Sequence, residues 1–377
     1  MKPIFFFGSL RDLDLLQIVL GRAVAEDAVI DARAPGFSTR RLAEESYHIL
    51  VESEGAEAPG RVLLDYDAAD LARLEYFEEA EYGLEDIQVT TANEPMDARY
   101  FAATGKATHT DLSWDFAHWQ RQDRAVALFA AREYMDHYGA VPVEDIDRIW
   151  PGIMTRAYQK ARAAGEDAAA TTLRSDFRRG DVEWQEMRRP YTHFLAVEEH
   201  RLRHRRFDGG WSAPVGRTVT FWGDAVTVLP FDAARGTVLL IEQFRPAPAA
   251  RGEANPWCIE VIAGRIDTNE DAETTARREA DEEARLTLRR LAPIPGYYTT
   301  PGLAAEKIYG FIGEADLGNA GGVHGLSTEE EDIRTLVLPL DEALAAVSAG
   351  EVNTGTALVS LLWLKAHRDR IEAAWKA

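Results

Sequence analysis

The sequence predicts an α/β protein with a small β-rich domain over residues 1–105, a helical connector over 106–179 and a mixed α/β domain over 180–377. Three observations support this division. Short apolar runs separated by Pro and Gly occupy the N-terminal region, which is typical of strands and turns. Long segments rich in Ala, Arg and aromatic residues follow, with few helix breakers inside them. After them, apolar runs alternate with helical patterns, as in a mixed α/β domain.

The predicted elements of the N-terminal domain are short strands and one helix. The apolar runs Ile4–Phe7, Tyr47–Val51 and Arg61–Leu64 predict strands. Apolar residues recur at helical spacing over residues 68–79, so we expect one helix to pack on the sheet.

The connector and the C-terminal domain supply the remaining predicted elements. Two or three helices are expected within residues 114–138 and 143–164. In the C-terminal domain, the expected strands cover residues 224–231, 237–244, 257–263, 307–313 and 334–338. The expected helices cover residues 270–284, 341–347 and 356–374.

Charge and cysteine content exclude several classes of protein. The sum of 42 Lys and Arg against 63 Asp and Glu gives a net charge of −21, which argues against a nucleic-acid or anionic-membrane surface. The single cysteine, Cys258, excludes an intramolecular disulfide. The apolar run Ile4–Phe7 is too short for a signal peptide or a membrane span. We therefore expect a cytoplasmic protein without a nucleic-acid or membrane partner.

Three glutamates in the predicted helix 270–284 form a candidate metal site. Glu279, Glu282 and Glu283 stand at i, i+3 and i+4, so their carboxylates share one helix face and repel one another. A hard divalent cation with oxygen ligands, Mg²⁺ or Mn²⁺, would relieve that repulsion. From the spacing alone, an acidic solvated helix face is the alternative.

The surrounding pattern favours the metal site. Gly264-Arg-Ile-Asp-Thr-Asn-Glu270, followed by Arg278-Glu279-Ala280-Asp281-Glu282-Glu283-Ala284-Arg285-Leu286, resembles the Nudix box. This resemblance implies a Nudix α/β/α sandwich with a mixed sheet. It also implies that Glu279 and Glu283 bind the metal, that Glu282 assists and that the Ala263 carbonyl adds a ligand. Arg285 stands where the family has Gly, so we expect either about 1–2 kcal/mol of strain there or a relaxed turn.

Segments outside the box resemble the ADP-ribose pyrophosphatase branch of the Nudix family. The matching segments are Gly223–Val226, Leu229–Asp232, Leu240–Arg245, Pro256–Glu260 and Thr300–Gly302 with Glu306. The resemblance implies hydrolysis of ADP-ribose to AMP and ribose 5-phosphate by a metal-activated water.

The same resemblance suggests roles for residues around the box. Glu329 is the expected general base, with Glu331 in the same loop as the alternative. Arg245 is expected to hold the phosphates, and Gly302 and Glu306 to contact the substrate. The alternatives are a solvated loop acid at Glu329 and a structural ion pair at Arg245.

Adenine recognition and dimerisation rest on residues 193–222. The branch often has Arg-Glu where this chain has Arg217-Thr218, so Arg217 is the candidate adenine contact and half of the pair is missing. In the family these strands exchange between subunits, which implies a homodimer. The incomplete pair leaves open a GDP-sugar, FAD, NADH or another ADP-sugar as substrate. A non-catalytic ADP-ribose sensor is the alternative from a different class.

The N-terminal domain resembles the gamma-glutamyl cyclotransferase-like (AIG2-like) family. The resemblance rests on Phe7-Gly8-Ser9-Leu10-Arg11 and Leu74-Glu75-Tyr76-Phe77-Glu78. It implies that Gly8 and Ser9 offer backbone N–H groups to a carboxylate or carbonyl, and that Glu78 shuttles a proton. Phe7, Glu75 and Glu79 depart from the family pattern, so a silent or repurposed domain is the alternative. The fusion of the two domains also resembles Nudix proteins associated with tellurite resistance.

Overall fold

The computed structural model describes residues 1–42, 48–79, 82–92, 94–104, 109–166, 172–268, 270–326 and 331–376. The chain forms two compact units, Met1–Ala169 and Ala170–Ala377. They are called the first and second unit below. None of the helices in these described ranges is long and apolar enough to cross a membrane.

A β-barrel and helices make up the first unit. Its strands are β1 (Ile4–Phe6), β2 (Val29–Leu42), β3 (His48–Leu63), β4 (Tyr82–Thr91), β5 (Pro95–Ala103) and β6 (His109–Ser113). Its α-helices are α1 (Leu13–Leu20), α2 (Ala68–Glu78), α3 (Phe116–Gln122), α4 (Arg124–Asp136) and α5 (Trp150–Gly165). The strand order is β3-β1-β5-β4-β2-β6, and β3 also pairs with β2, so β1 to β5 close into a barrel. Strand β1 runs parallel to β5 and antiparallel to β3.

Strand β1 separates two apolar cores because its side chains alternate between its faces. Phe5 packs in one core with the small residues of β2 and β3, whereas Ile4 and Phe6 pack in the other core with the helices. Helices α3, α4 and α5, predicted as a connector, contribute to that second core through residues such as Trp119 and Tyr134. The turn after β1, which carries the Gly8-Ser9 motif, therefore lies where barrel and helices meet.

The second unit combines a small antiparallel sheet with a larger mixed sheet. The first sheet is three-stranded, with β7 (Val182–Thr192), β8 (Ala196–His204) and β9 (Val215–Phe221) in sequence order. The strands of the eight-stranded sheet are β10 (Ala225–Asp232), β11 (Thr237–Phe244), β12 (Trp257–Glu260), β13 (Ile262–Arg265), β14 (Leu291–Tyr298), β15 (Lys307–Glu314), β16 (Gly322–His324) and β17 (Ile333–Pro339). The helices of this unit are α6 (Pro246–Arg251), α7 (Ala272–Ala284), α8 (Leu340–Ala349) and α9 (Gly355–Lys376).

Helices cover both faces of the mixed sheet. The main path of the sheet is β14-β15-β10-β11-β17-β16, in which β10 and β15 are parallel and the other pairs antiparallel. On β10, Val226 and Val228 pack with α7, whereas Leu229 and Phe231 pack with α8 and α9. This alternation confirms the predicted α/β class and α/β/α layering.

One prediction about the mixed sheet was wrong in detail, and one strand was not predicted. The strand predicted over residues 257–263 is broken at Val261, because β12 pairs with β11 whereas β13 pairs with β10. Strand β14 was not predicted, and it contains Pro293 and Pro295, which are unusual inside a strand. It lies at the sheet edge, where a strand tolerates missing N–H donors.

Candidate active site

Helix α7 carries the candidate metal ligands of the second unit. The helix begins after Asp271, whose side chain accepts a hydrogen bond from the Thr274 N–H at 2.8 Å. Glu279 and Glu283 are buried, with 9% and 2% of their surface exposed, whereas Glu282 is half-buried. The i, i+4 spacing thus brings the first and third carboxylates to the covered face of the helix.

Arg278 links the carboxylates of the box. Its Nη1 lies 2.8 Å from Glu279 Oε1 and 2.9 Å from Glu282 Oε2, and its Nη2 lies 3.2 Å from Glu270 Oε2. The forked guanidinium can reach several acids at once because its donors are planar and fixed. Arg278 therefore partly neutralises the cluster and restricts the rotamers of its acids.

Burial disfavours the charged forms of Glu279 and Glu283. It raises the pKa of Glu279 to about 7. It raises the pKa of Glu283 well above its ordinary value, and the charge of Glu279 adds to this shift. The Ala263 N–H opposes it by donating to Glu283 Oε2 at 3.2 Å. Two buried oxygen-donor groups that resist ionisation without a cation suit a hard divalent ion.

Gly264 on β13 provides the space for one of these carboxylates. A Cβ at this position would lie 1.8 Å from Glu279 Oε1, far inside van der Waals contact. The glycine of the box is thus explained by the close approach of Glu279 to the backbone. Within the described ranges, no three His, Cys, Asp or Glu side chains already form a group that could hold a metal. Residues Glu279, Glu283, Glu282 and Ala263 fit a divalent cation by donor type, and metal binding there stays a prediction.

Arg285 ends helix α7 at the position where the family has glycine. It adopts the left-handed conformation, with φ 52° and ψ 39°, so the turn does not relax. The Arg285 N–H donates to the Asp281 carbonyl at 2.9 Å, and the Leu286 N–H donates to the Ala280 carbonyl at 2.9 Å. Leu286 is buried beyond the turn and anchors it. Of the two expected outcomes, a strained turn and a relaxed turn, the chain therefore adopts the strained turn.

Glu331 lies close enough to the box to influence its charges. The negative charge of Glu331 contributes to the raised pKa values of Glu279 and Glu283. Glu331 Oε2 also accepts a hydrogen bond from the Leu326 N–H at 3.1 Å. Glu329, the first choice as general base, lies outside the described residues.

Arg245 takes part in an ion pair and also acts on the box. Its Nε donates to Glu260 Oε2 at 2.6 Å, and its positive charge lowers the pKa of Glu283. Glu260 was missed by sequence reasoning. No sequence signal indicated this ion pair, because β12 pairs with β11 in a register that places Glu260 opposite Ile241, and the Arg245 side chain reaches Glu260 only in the folded sheet.

The remaining predicted substrate contacts are divided between two places. Glu306 accepts a hydrogen bond from Trp222 Nε1 at 2.8 Å, and burial raises its pKa. Gly302 lies in the preceding turn, which is tied to β9 because the Thr220 N–H donates to the Leu303 carbonyl at 2.8 Å. Arg217 is exposed on β9 and donates to the Gly216 carbonyl at 2.8 Å. Its contact with adenine stays a prediction.

The first unit contains a cavity of about 440 Å³ where its predicted site residues meet. Gly8, Ser9 and Glu78 all line this cavity. Burial raises the pKa of Glu78 to about 7, and the charge of Glu79 adds to the shift. Glu78 is half-buried rather than a solvated surface acid. A carboxyl that titrates near neutrality is suited to proton transfer, although its catalytic role stays a prediction.

Comparisons with known proteins identify the family of each unit. Residues 222–354 match the NUDIX domain family, and residues 4–121 match the gamma-glutamyl cyclotransferase, AIG2-like family. The chain belongs to the Nudix family through its second unit, and its first unit contains an AIG2-like domain, which confirms both resemblances.

Curated relatives match the second half of the chain. ADP-ribose pyrophosphatase of Escherichia coli K12 is 37% identical over 199 residues, which cover 53% of this chain and 95% of that protein. ADP-ribose pyrophosphatase of Haemophilus influenzae is 32% identical over 202 residues, covering 53% of this chain and 93% of that protein. GDP-mannose pyrophosphatase of Enterobacter sp. (strain 638) is 35% identical over 146 residues, covering 38% of this chain and 74% of that protein.

Proposed function

We propose that the chain hydrolyses the pyrophosphate bond of ADP-ribose to AMP and ribose 5-phosphate in a reaction that requires Mg²⁺ or Mn²⁺. The observation that carries this proposal is the pair of buried carboxylates, Glu279 and Glu283, held against β13 in a chain similar to ADP-ribose pyrophosphatases. Buried acids with raised pKa values are typical of functional sites.

The residues of the box have different proposed roles. Glu279 and Glu283, with Glu282 and the Ala263 carbonyl, are the proposed metal ligands. When bound there, a divalent cation would polarise a phosphoryl oxygen and lower the pKa of a water molecule. Arg278 keeps the Glu279 carboxylate in place through its 2.8 Å contact.

Proton removal from the attacking water is assigned to the loop that follows β16. Glu329 or Glu331 accepts this proton, and the charge of Glu331 already reaches Glu279 and Glu283. A base in this loop completes the hydrolysis, because water adds to one phosphorus and the other phosphate leaves with the bridging oxygen.

Substrate binding is assigned to Arg245 and to the loop with Gly302 and Glu306. The hydrogen bond between Arg245 and Glu260 uses Nε, and among described residues no hydrogen bond uses the two terminal nitrogens of Arg245. Those nitrogens supply donors for a phosphate group. Gly302 leaves space for close approach, since a Cβ there would meet no atom within 4 Å.

A second candidate substrate is GDP-mannose. The similarity to GDP-mannose pyrophosphatases and the absence of the Glu beside Arg217 favour it. Both substrates are nucleoside diphosphate sugars, so the choice between them changes specificity and leaves the chemistry unaltered.

We also propose a homodimer that forms through the three-stranded sheet of the second unit. Trp184, Tyr191 and Phe194 on or beside β7 are exposed to 54%, 49% and 72%, and large aromatic residues that are exposed together favour an interface. For the first unit, we propose that Glu78 transfers protons. The cytoplasmic location and the association with tellurite resistance stay predictions.

The proposal is tested by incubating the purified chain with ADP-ribose and Mg²⁺ and following AMP release, with GDP-mannose in parallel. Glu283→Gln should lower turnover by roughly 10³-fold or more, because it removes a metal-binding carboxylate. Glu273→Gln is the matched control, since Glu273 is exposed in the first turn of the same helix. If ADP-ribose binds tightly but no AMP is released with any divalent metal, the result would instead support a non-catalytic ADP-ribose sensor.

A further inference from the structure

A groove of about 930 Å³ follows β14, the edge strand of the mixed sheet in the second unit. It is lined by residues 291–295 of β14 and by side chains of α7 and α9. Four arginines line it, Arg277, Arg289, Arg290 and Arg370, and none of its described lining residues is Asp or Glu. It is called the arginine groove below. The candidate metal ligands of α7 are not among its lining residues, so the groove is separate from the box.

Three of these four arginines have no carboxylate partner among the described residues. Arg290 is paired, because its Nε and Nη2 lie 2.7 Å and 3.3 Å from the carboxylate oxygens of Glu314. Arg277 donates to a backbone carbonyl at 2.5 Å and keeps further donors on its guanidinium group. In the described ranges, no hydrogen bond or ion pair uses the side chain of Arg289 or Arg370. The groove therefore carries a local excess of positive charge in a chain whose net charge is −21.

An aromatic pair on α9 also lines the arginine groove. The rings of Trp363 and His367 are stacked, with centroids 3.9 Å apart and planes inclined by 24°. His367 Nδ1 lies 3.0 Å from the Trp363 carbonyl oxygen, which restricts the imidazole ring. Both side chains are half-buried. A fixed aromatic surface beside unpaired arginines suits a ligand that has both an anionic part and an aromatic part.

Strand β14 is poorly suited to pair with a strand of another protein. Pro293 and Pro295 have no N–H to donate. A bulge between Ile294 and Tyr297 also interrupts the register of β14 on β15. A peptide that adds a strand to a sheet needs a regular row of backbone donors and acceptors at the edge. The groove therefore favours a small molecule over an extended peptide.

We propose that the arginine groove binds an organic phosphate that carries at least two phosphate groups and an aromatic ring. The guanidinium groups of Arg289 and Arg370 contact the phosphates, because their planar, forked donors match phosphate oxygens. The ring of the ligand lies against Trp363. A volume of about 930 Å³ is within the range of small-molecule sites. This binding does not depend on the hydrolysis proposed for the box.

Calorimetric titration of the full chain with ATP in EDTA tests this proposal, because removing divalent cations prevents metal-dependent hydrolysis. Adenosine keeps the ring of the probe without its charge, and inorganic tripolyphosphate keeps the charge without the ring. We expect saturable binding of ATP, at least about tenfold weaker binding of adenosine and at least about threefold weaker binding of tripolyphosphate. The absence of ATP binding, or equal binding of adenosine or tripolyphosphate, would overturn the proposal.

Substitutions locate the ATP binding. Arg289→Gln and Arg370→Gln should each weaken it by roughly tenfold, the effect of removing one charged hydrogen-bond partner. Lys365→Gln is the matched control, because Lys365 is exposed on α9 outside the groove lining. Arg245→Gln separates the groove from the proposed substrate site and should leave the affinity for ATP unaltered.

Two results would contradict this location. They are an ATP affinity that stays unchanged in both groove variants, and an ATP affinity that is lost in Arg245→Gln. Arg289 and Arg370 are exposed, so we expect both variants to fold, and thermal unfolding of each variant checks this.

Discussion

Substituting Gly264 by Ala tests whether the position of Glu279 controls activity. The added Cβ would lie 1.8 Å from Glu279 Oε1, whereas ordinary contacts begin at 3.4 Å, so the carboxylate must retreat by about 1.6 Å. Its side chain is only 12% exposed and already contacts Arg278 Nη1 at 2.8 Å. The displaced carboxylate therefore has little room for an alternative position near the box.

The expected effect is a large loss of activity in a chain that remains folded. Overpacking of a buried site typically destabilises a protein by about 1–3 kcal/mol. A displacement of about 1 Å in catalytic geometry lowers the rate by roughly 10²-fold. We therefore expect kcat/KM of Gly264→Ala to fall at least 10²-fold while the chain stays folded.

The assay is AMP release from ADP-ribose with Mg²⁺, combined with circular dichroism and urea unfolding. Gly355→Ala is the matched control, because an added Cβ at the start of α9 would meet no atom within 4 Å. A folded Gly264→Ala variant with kcat/KM within about threefold of the wild type would refute the reasoning. It would show that the close approach of Glu279 to β13 is not required for turnover.

Three further substitutions test the strain at Arg285, the titration of Glu78 and the ion pairs of Arg278. Arg285→Gly should raise the free energy of unfolding by about 1 kcal/mol in urea melts, because glycine tolerates the left-handed conformation; an equal gain in Arg285→Ala would contradict this explanation. Glu78, with its pKa raised by burial to about 7, binds its proton more tightly in the folded state, so stability should fall by about 1–3 kcal/mol as pH rises from about 4.5 to above 7. Glu78→Gln should flatten that pH profile, and an unchanged slope would exclude Glu78 as its source. Arg278→Lys should lower kcat/KM by roughly tenfold or more, because a lysine cannot bridge several carboxylates; unaltered kinetics would show that the bridge is dispensable.

The sequence predicted the local geometry of the box because helical spacing depends only on the chain itself. The i, i+3 and i+4 positions of Glu279, Glu282 and Glu283 follow from the helix period. The buried strand over residues 237–244 was likewise evident from its nearly continuous apolar run, and β11 covers the same residues. The sequence did not determine the conformation of Arg285, since it left both a strained turn and a relaxed turn open.

Contacts between residues distant in the sequence were decided by the fold. The break at Val261, which divides β12 from β13, depends on which neighbour each strand pairs with. The same pairing brings the Ala263 N–H to Glu283 and the backbone of Gly264 to Glu279. No local pattern contains this register, because it follows from packing the whole sheet against α7.

The cavity of the first unit also depends partly on local sequence motifs and partly on tertiary packing. Its motifs around Gly8 and Glu78 were recognisable from the sequence, since short motifs retain local turn and helix chemistry. Only the tertiary structure placed Tyr134 and Asp147 in the same cavity and buried Glu78 enough to raise its pKa. Residue types and spacing thus determined which chemical groups this protein carries. Packing decided which of them meet, because burial and charge interactions depend on neighbours far apart in the chain.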